Sequence, residues 1–258
     1  MRLLWIAVVI GVVAGLPTPN TNQRSERLKE ILSEPYSAAR NDTLEGLLLG
    51  IIEDLRKTML TGTDSVPILD PLEIEHITID DQTVPLPGIQ AAINDLKVTK
   101  LSTFEVNDLS VTRTSLLLQR YRVIFDGAIP TIDVDVGNYD LSVNAMGANV
   151  FGNGDAKIKV IQPRLQASLL VAPRISISGI FLNLLECDIK FSLGDLQPHI
   201  TGMFNDEVVS DFVSLFLKYL ITDLLDLYED DVNEFLSTTV HEVANDLLRD
   251  LNLIDILG

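Results

Sequence analysis

The fold is decided by alternating stretches such as Ile132-Asp133-Val134-Asp135-Val136 and Leu185-Glu186-Cys187-Asp188-Ile189-Lys190-Phe191. This period of two extends from about residue 72 to 193, whereas apolar residues from about 205 to 252 recur every three or four positions. A period of two indicates strands with one buried face, and a period near 3.6 indicates amphipathic helix. The sequence therefore predicts an α+β protein, with a long curved antiparallel β-sheet wrapped around a long C-terminal α-helix in a single elongated domain.

Glycine and proline residues divide the alternating region into predicted strands. These strands lie near residues 72–80, 95–112, 115–126, 130–146, 150–162, 164–172, 174–180 and 183–193. No helical pattern separates them, which favours hairpins and meanders over parallel pairing. The Gly137-Asn138 pair predicts a bulge or bend, because alternation resumes at Tyr139.

Two helical regions flank the predicted sheet. The first covers residues 43–60, with Asp42 and Glu45 at capping-box spacing and Gly62 just past the end. The C-terminal region begins after a cap at Asn205 or Asp206 and is apolar except for one polar ridge, so we expect it to be covered over most of its circumference. The ridge consists of Asp206, Ser210, Ser214, Lys218, Thr222 and Asp226. The acidic run at residues 229–231 either breaks this helix or lies on its solvated face.

The N-terminal residues have the features of a signal peptide. Arg2 precedes an apolar run from residue 3 to 13, which is too short to span a bilayer, and small residues follow at 14–15. We therefore predict a signal peptide at 1–15, a flexible N-terminal segment at 16–41 and a hydrophobic-ligand-binding domain at 42–258. Asn41 begins an N-x-T sequon, which predicts a glycosylation site in a secreted protein.

Charge and cysteine content limit the partners and the covalent structure of the chain. The 258 residues include 37 acidic and 19 basic ones, and a formal net charge of −18 argues against nucleic acid and anionic membrane surfaces as partners. Cys187 is the single cysteine, so an internal disulfide is excluded. It shares parity with Leu185, Ile189 and Phe191, which predicts an inert thiol facing the core; intermolecular pairing is the alternative.

No motif in the sequence points to catalysis or to a cofactor. The three histidines, His76, His199 and His241, have no metal-ligand spacing, and we predict no metal site and no cofactor. Neither a nucleophile elbow nor a phosphate-binding loop occurs. Scattered residues can still converge in space, so a secreted hydrolase stays as the least favoured alternative, and the sequence favours a protein that is not an enzyme.

A curved sheet over a helix leaves an apolar tunnel if the packing between them is incomplete. Such a space would stay dry and would favour long aliphatic ligands through burial of apolar area. Periodicity alone leaves a tunnel and a filled core equally open.

The order of these features resembles the takeout and juvenile-hormone-binding proteins of arthropods. The resemblance is carried by the Pro-Ile-Leu-Asp-Pro-Leu-Glu-Ile connector at 67–74 and by the stretches 125–130, 138–141, 151–156 and 203–205, within residues 42–252. The mite group 7 allergens resemble the same superfamily. The resemblance implies a tubular lipid-binding fold, in which a curved antiparallel sheet wraps a long helix around a hydrophobic ligand, and hence a secreted carrier of a small lipid or terpenoid.

One departure from the family concerns its N-terminal disulfide. The family usually carries a cysteine pair near the mature N-terminus, whereas residues 16–60 contain no cysteine. The absence of this clamp leaves the pocket mouth looser or closed by other means, and it puts direct transfer of hormone specificity in doubt.

The sequence thus predicts a secreted carrier that binds a small hydrophobic ligand (a terpenoid hormone, a fatty acid or a similar lipid) in an internal apolar tunnel. No nucleic acid and no stable membrane insertion are expected. The alternative is an extracellular protein-interaction module with a filled core and an acidic surface, which would bind a protein partner. The candidate ligand-binding residues come from the first helix, the connector and the last helix. They are Leu48, Ile51, Ile52, Leu55, Val66, Ile68, Leu69, Phe235, Val240 and Val243.

Overall fold

The computed structural model describes residues 42–63, 66–80, 89–115, 119–145, 148–176 and 179–250. Within these ranges a helix precedes nine strands, and two helices follow them. The elements are α1 Asp42–Thr61, β1 Leu72–Asp80, β2 Ile89–Thr99, a 3₁₀ turn Leu101–Thr103, β3 Glu105–Ser115, β4 Arg120–Ala128, β5 Thr131–Ala145, β6 Ala148–Ile161, β7 Arg164–Ser176, β8 Gly179–Ser192, β9 Asp195–Ile200, α2 Glu207–Leu227 and α3 Glu229–Asp250. The predicted signal peptide, the 16–41 segment and Asn41 lie outside the described residues.

The strands form two antiparallel sheets rather than the single sheet expected. The five-stranded sheet has the order β1-β2-β5-β6-β9, and the four-stranded sheet has the order β3-β4-β7-β8. The chain passes between them where Gln162 donates its N–H to the Pro130 carbonyl at 3.1 Å and Ile129 donates to the Pro163 carbonyl at 3.0 Å. Antiparallel pairing in an α+β chain is confirmed, and the C-terminal helix is a pair of helices.

Some predicted strand boundaries are wrong. The predicted 95–112 strand is interrupted at Lys100, which has a left-handed φ of 70° and enters the 3₁₀ turn. The predicted break at Pro173 is absent because β7 continues through it and pairs Pro173 with Leu182 of β8. Pairing of β7 with β4 ends at Val171, so the missing Pro173 N–H interrupts no described ladder. Strand β9 was not predicted.

Bulges in β5 and β8 change which side chains face inward. A register shift between Val136 and Tyr139 confirms the bend predicted at Gly137-Asn138. A second shift leaves Leu185 as an extra residue in β8, and its side chain is exposed rather than facing the core as expected. Cys187 lies beyond this bulge and is half-buried.

The main core cluster lies on one face of the five-stranded sheet, beneath the end of α1, the 3₁₀ turn and the start of α2. Apolar positions pair across neighbouring strands, as in Leu96 with Val136 and Val136 with Ala156. The buried members are Met59, Leu96, Val98, Leu101, Val136, Tyr139, Ala156 and Met203.

Asp70 anchors the connector between α1 and β1. Its carboxylate accepts hydrogen bonds from the Lys100 N–H at 2.8 Å, the Ser102 N–H at 2.8 Å and the Ser102 hydroxyl. The connector backbone also binds the end of α1, where the N–H groups of Leu69 and Asp70 both donate to the Met59 carbonyl at 2.9 Å. The connector therefore ties α1 to the 3₁₀ turn.

Polar side chains of the helices cover three of the four sheet edges. On α3, Asn245 accepts from the Leu184 N–H of β8 at 2.8 Å and donates to the Leu184 carbonyl at 3.0 Å. Ser237 and Asn233 accept from the N–H groups of Ile189 and Phe191 in the same strand. Ser214 of α2 accepts from an N–H of β9, and Glu45 of α1 accepts from the Val111 N–H of β3. Side chains here take the place of a neighbouring strand.

Removal of the Asn245 amide should destabilise the protein measurably. Asn245→Ala leaves the Leu184 N–H and carbonyl without their side-chain partner, which we expect to cost about 2 kcal/mol in the free energy of unfolding. Urea denaturation gives this value, with Glu242→Ala on the exposed side of α3 as the control. Equal midpoints for the two variants would contradict the role assigned to Asn245.

Candidate hydrophobic-ligand surface

The apolar side of α2 is exposed, contrary to the expectation that the helix is covered over most of its circumference. The ridge residues Ser210 and Ser214 are buried, because the ridge turns toward β9 and the adjoining loop. The opposite side therefore faces outward, with the rings of Phe212 and Phe216 stacked 6.3 Å apart. This α2 apolar face consists of residues that are each more than half exposed: Val208, Phe212, Leu215, Phe216 and Tyr219.

One face of the four-stranded sheet carries apolar residues in register across its strands. One row joins Val111, Val123, Leu169 and Cys187. The next row joins Leu109, Phe125, Ala167 and Ile189. The opposite face is mostly polar, although it includes the buried Leu170. It carries the ion pairs of Arg122 with Glu186 and of Arg164 with Asp126.

Burial along these rows is uneven. Val111 at one edge is 1% exposed and Ile189 at the other edge is 4% exposed, where α1 and α3 contact β3 and β8 respectively. The residues between them on β4 and β7 are only half-buried. The apolar face is thus covered at its edges and incompletely covered along its middle. We call this middle the trough, with the floor Val123, Phe125, Ala167, Leu169 and Val171.

The trough has the dimensions of a site for an extended aliphatic chain. Strands β3 and β8 are three strand spacings apart, about 14 Å. The paired positions from Tyr121 to Gly127 of β4 run along the strand for about 20 Å. Four of the predicted residues lie on the two helices that contact β3 and β8. Leu48 and Ile52 follow Glu45 on one side of α1, and Val240 and Val243 share the α3 side of the buried Leu236.

The other predicted residues lie in different surroundings. Leu55 and Leu69 pack against the main core cluster, and Val66 is 4% exposed. Ile51 is half-buried on α1. Ile68 and Phe235 are 48% and 47% exposed. The structure therefore does not bring the ten predicted residues together in one place, and the trough floor and the α2 apolar face are absent from the predicted set.

A separate depression of about 490 Å³ lies between α2 and β9. Five of its seven lining residues are polar; the lining residues are Gln197, Pro198, His199, Asp211, Ser214, Leu215 and Lys218. Beside it, the Gln197 amide and the Lys218 ammonium hold the pKa of Asp195 below its ordinary value. None of the ten predicted residues lines this depression, so it is not the predicted tunnel.

The described residues give no support to metal chemistry. Within the ranges that the structure describes, no group of three His, Cys, Asp or Glu residues could hold a metal ion. A search of the same residues finds no helix that combines the length and the apolar character needed to cross a bilayer.

Cys187 should react slowly with thiol reagents. Burial, and secondarily the Asp188 carboxylate, raise the pKa of this thiol from 9.0 to about 11. At about pH 8 its thiolate fraction is then about 100-fold smaller than that of an ordinary cysteine, and the thiolate is the reactive form. Iodoacetamide alkylation should therefore be slow in the native protein and fast in urea, and equal rates would contradict the assigned burial.

An antiparallel sheet with helices on its edges and an incompletely covered apolar face defines a hydrophobic-ligand carrier fold. The family model for haemolymph juvenile hormone binding protein (JHBP) matches residues 18–258. The chain therefore belongs to the haemolymph juvenile hormone binding protein family.

The solved structure of a takeout protein agrees with this assignment at the level of fold. The crystal structure of Epiphyas postvittana Takeout 1 is similar with a TM-score of 0.51 and 14% sequence identity, over 84% of this chain and 95% of that one. Lipopolysaccharide binding protein is similar over 80% of this chain and 39% of that one, at 14% identity and a TM-score of 0.35, too low to bear on the fold. No curated protein matches the chain by sequence.

Proposed function

We propose that the protein is a secreted, non-enzymatic carrier that holds a small hydrophobic ligand, such as a terpenoid, a fatty acid or a similar lipid, in the trough. The main observation in support of this proposal is the uneven burial of one apolar sheet face. This face is buried at its edges under α1 and α3 and half-buried along β4 and β7. Apolar surface left in contact with water is unfavourable by about 25 cal/mol per Å², so a ligand that covers it is stabilised by the same amount.

The walls of the proposed site are Leu48 and Ile52 on one side and Val240 and Val243 on the other. Ile51, Leu55, Val66, Ile68, Leu69 and Phe235 stay as candidates for its ends. Family membership supports a binding role rather than catalysis.

Ligand binding in the trough is tested by placing a bulky side chain on the trough face of β4. The full secreted chain is titrated with a fluorescent fatty acid, and lipids are extracted from the purified protein for mass spectrometry. Val123→Trp fills the trough and should weaken binding about tenfold or more, because the indole takes the space of the ligand. Ile124→Trp adds the same ring on the opposite face and should bind as the wild type does.

Thermal melts show whether both variants are folded. Absence of extracted lipid together with no uptake by the wild type would contradict the proposal. So would equal binding by the two tryptophan variants.

Secretion and glycosylation form a separate part of the proposal. The supporting sequence features are the apolar run at residues 3–13 and the sequon at Asn41. Expression in insect cells should release a protein that begins at residue 16 and loses mass with an N-glycosidase. Retention of residue 1 or an unchanged mass for the secreted chain would contradict these two points.

A further inference from the structure

Arg113 lies at one end of the apolar face that forms the trough. It shares parity on β3 with the buried Val111, and it pairs with Tyr121 of β4, which pairs with Val171 of β7. Successive inward positions of a strand alternate with outward ones, so the Arg113 side chain belongs to the trough face. Its guanidinium carbon lies 5.7 Å from the centroid of the Tyr121 ring.

Within the described ranges, Arg113 has no anionic partner. Its Nε atom is buried without a hydrogen-bond partner, and among the described residues the side chain forms no ion pair. By contrast, Arg122 pairs with Glu186, and Arg164 pairs with Asp126, on the polar face of the same sheet. On β3 itself, Glu45 of α1 accepts a hydrogen bond from the Val111 N–H.

A half-buried cation without a counter-ion is unfavourable. Removal of a guanidinium from water is costly unless an anion or hydrogen-bond acceptors replace the lost hydration, and a ring at this distance restores only a small part of that cost. The guanidinium fork matches a carboxylate, which accepts two parallel N–H bonds. The Arg113 guanidinium, at the end of an apolar trough, would therefore be stabilised by an anionic acceptor.

We infer that Arg113 binds the carboxylate of a long-chain monocarboxylate whose aliphatic tail lies along the trough floor. This inference rests on the proposed carrier function and specifies the chemical class of its ligand. The Tyr121 ring stacks on the guanidinium and helps to orient it. The tail then follows Val123 and Phe125 along β4, away from the β3–β4 hairpin.

The test compares two ligands that differ only at the head group. Hexadecanoic acid and hexadecan-1-ol are measured by displacement of a neutral fluorescent lipid probe from the full chain. The wild type should bind the acid about tenfold or more tightly than the alcohol, because hydrogen bonds to charged groups exceed neutral ones. Arg113→Met should abolish this preference and leave alcohol binding within about twofold of the wild type.

Two further measurements separate head-group binding from a structural role. Arg122→Met removes an arginine from the polar face and should keep the preference for the acid. Arg113→Met should melt at the same temperature as the wild type or higher, because it removes an unpaired half-buried charge. A lower melting temperature together with a retained preference would mark Arg113 as structural and overturn the inference.

The outcomes distinguish this inference from the carrier proposal. Equal affinities of the wild type for acid and alcohol would overturn the carboxylate assignment and leave the carrier function intact. Failure of the wild type to bind the neutral probe or either ligand would overturn both.

Discussion

Gly202→Ala is expected to lower the free energy of unfolding by about 3 kcal/mol or more. Gly202 has a left-handed φ of 74°, and a Cβ built there would lie 1.9 Å from the Asn153 carbonyl oxygen. The segment cannot move away freely, because the Asn153 N–H donates to the Gly202 carbonyl at 3.2 Å and the Thr201 N–H donates to the Asp155 carbonyl at 3.0 Å. The substitution therefore combines backbone strain with a steric clash.

Urea denaturation of the full chain measures this effect against a matched glycine. Gly46 lies in α1 with nothing within 4 Å of a built Cβ, so Gly46→Ala should raise the free energy of unfolding by about 1 kcal/mol through helix propensity. The two identical substitutions are thus expected to have opposite signs. A Gly202→Ala midpoint equal to that of the wild type would contradict the close approach of these segments.

Asp70→Ala should cost about 3 kcal/mol in the free energy of unfolding. The carboxylate accepts from two backbone N–H groups and one hydroxyl, and without it the Lys100 and Ser102 N–H groups lose their partner. Ser102 is buried, so water cannot readily replace the missing acceptor. The connector that joins α1 to the sheet should loosen as a consequence.

The Asp70 effect is measured by urea denaturation, with Asp223→Ala on the exposed side of α2 as the control for loss of a carboxylate. Asp70→Asn keeps one acceptor oxygen and should show an intermediate loss. Hydrogen exchange should quicken at Ser102 in Asp70→Ala before it quickens at Val136 in the core. Wild-type stability of Asp70→Ala would show that the connector is held by other contacts.

Local signals in the sequence were sufficient for the helices and for most strands. Gly62 ends α1 with a φ of 66°, and Asp206 caps α2 by accepting from the Val209 N–H, both at the predicted positions. The acidic run at 229–231 lies in the first turn of α3, so the break between helices is the correct alternative. The strand boundaries predicted near Lys100 and Pro173 are wrong because these boundaries depend on which neighbouring strand is present. The local sequence does not encode that neighbour.

The trough could not be predicted because it depends on strand register. The alternation indicates that Val123 and Leu169 face one side of their strands, but not that they are paired. Parity also fails at the Leu185 bulge, where one extra residue reverses the inward side. The unpaired state of Arg113 requires knowledge of every surrounding side chain. The local patterns therefore point to candidate residues on two helices and on the connector, and they do not reveal the trough floor on the strands.

The capped sheet edges have a consequence for how the protein fails. The edge of strand β8 is covered by hydrogen bonds to Asn233, Ser237 and Asn245 of α3. These hydrogen bonds can break as α3 separates from the sheet, while every strand ladder stays intact. Detachment would present a long row of free N–H and carbonyl groups to a neighbouring chain, which is a template for intermolecular pairing. On warming, fibrillar self-association should therefore nucleate at β8, before the inner strands separate.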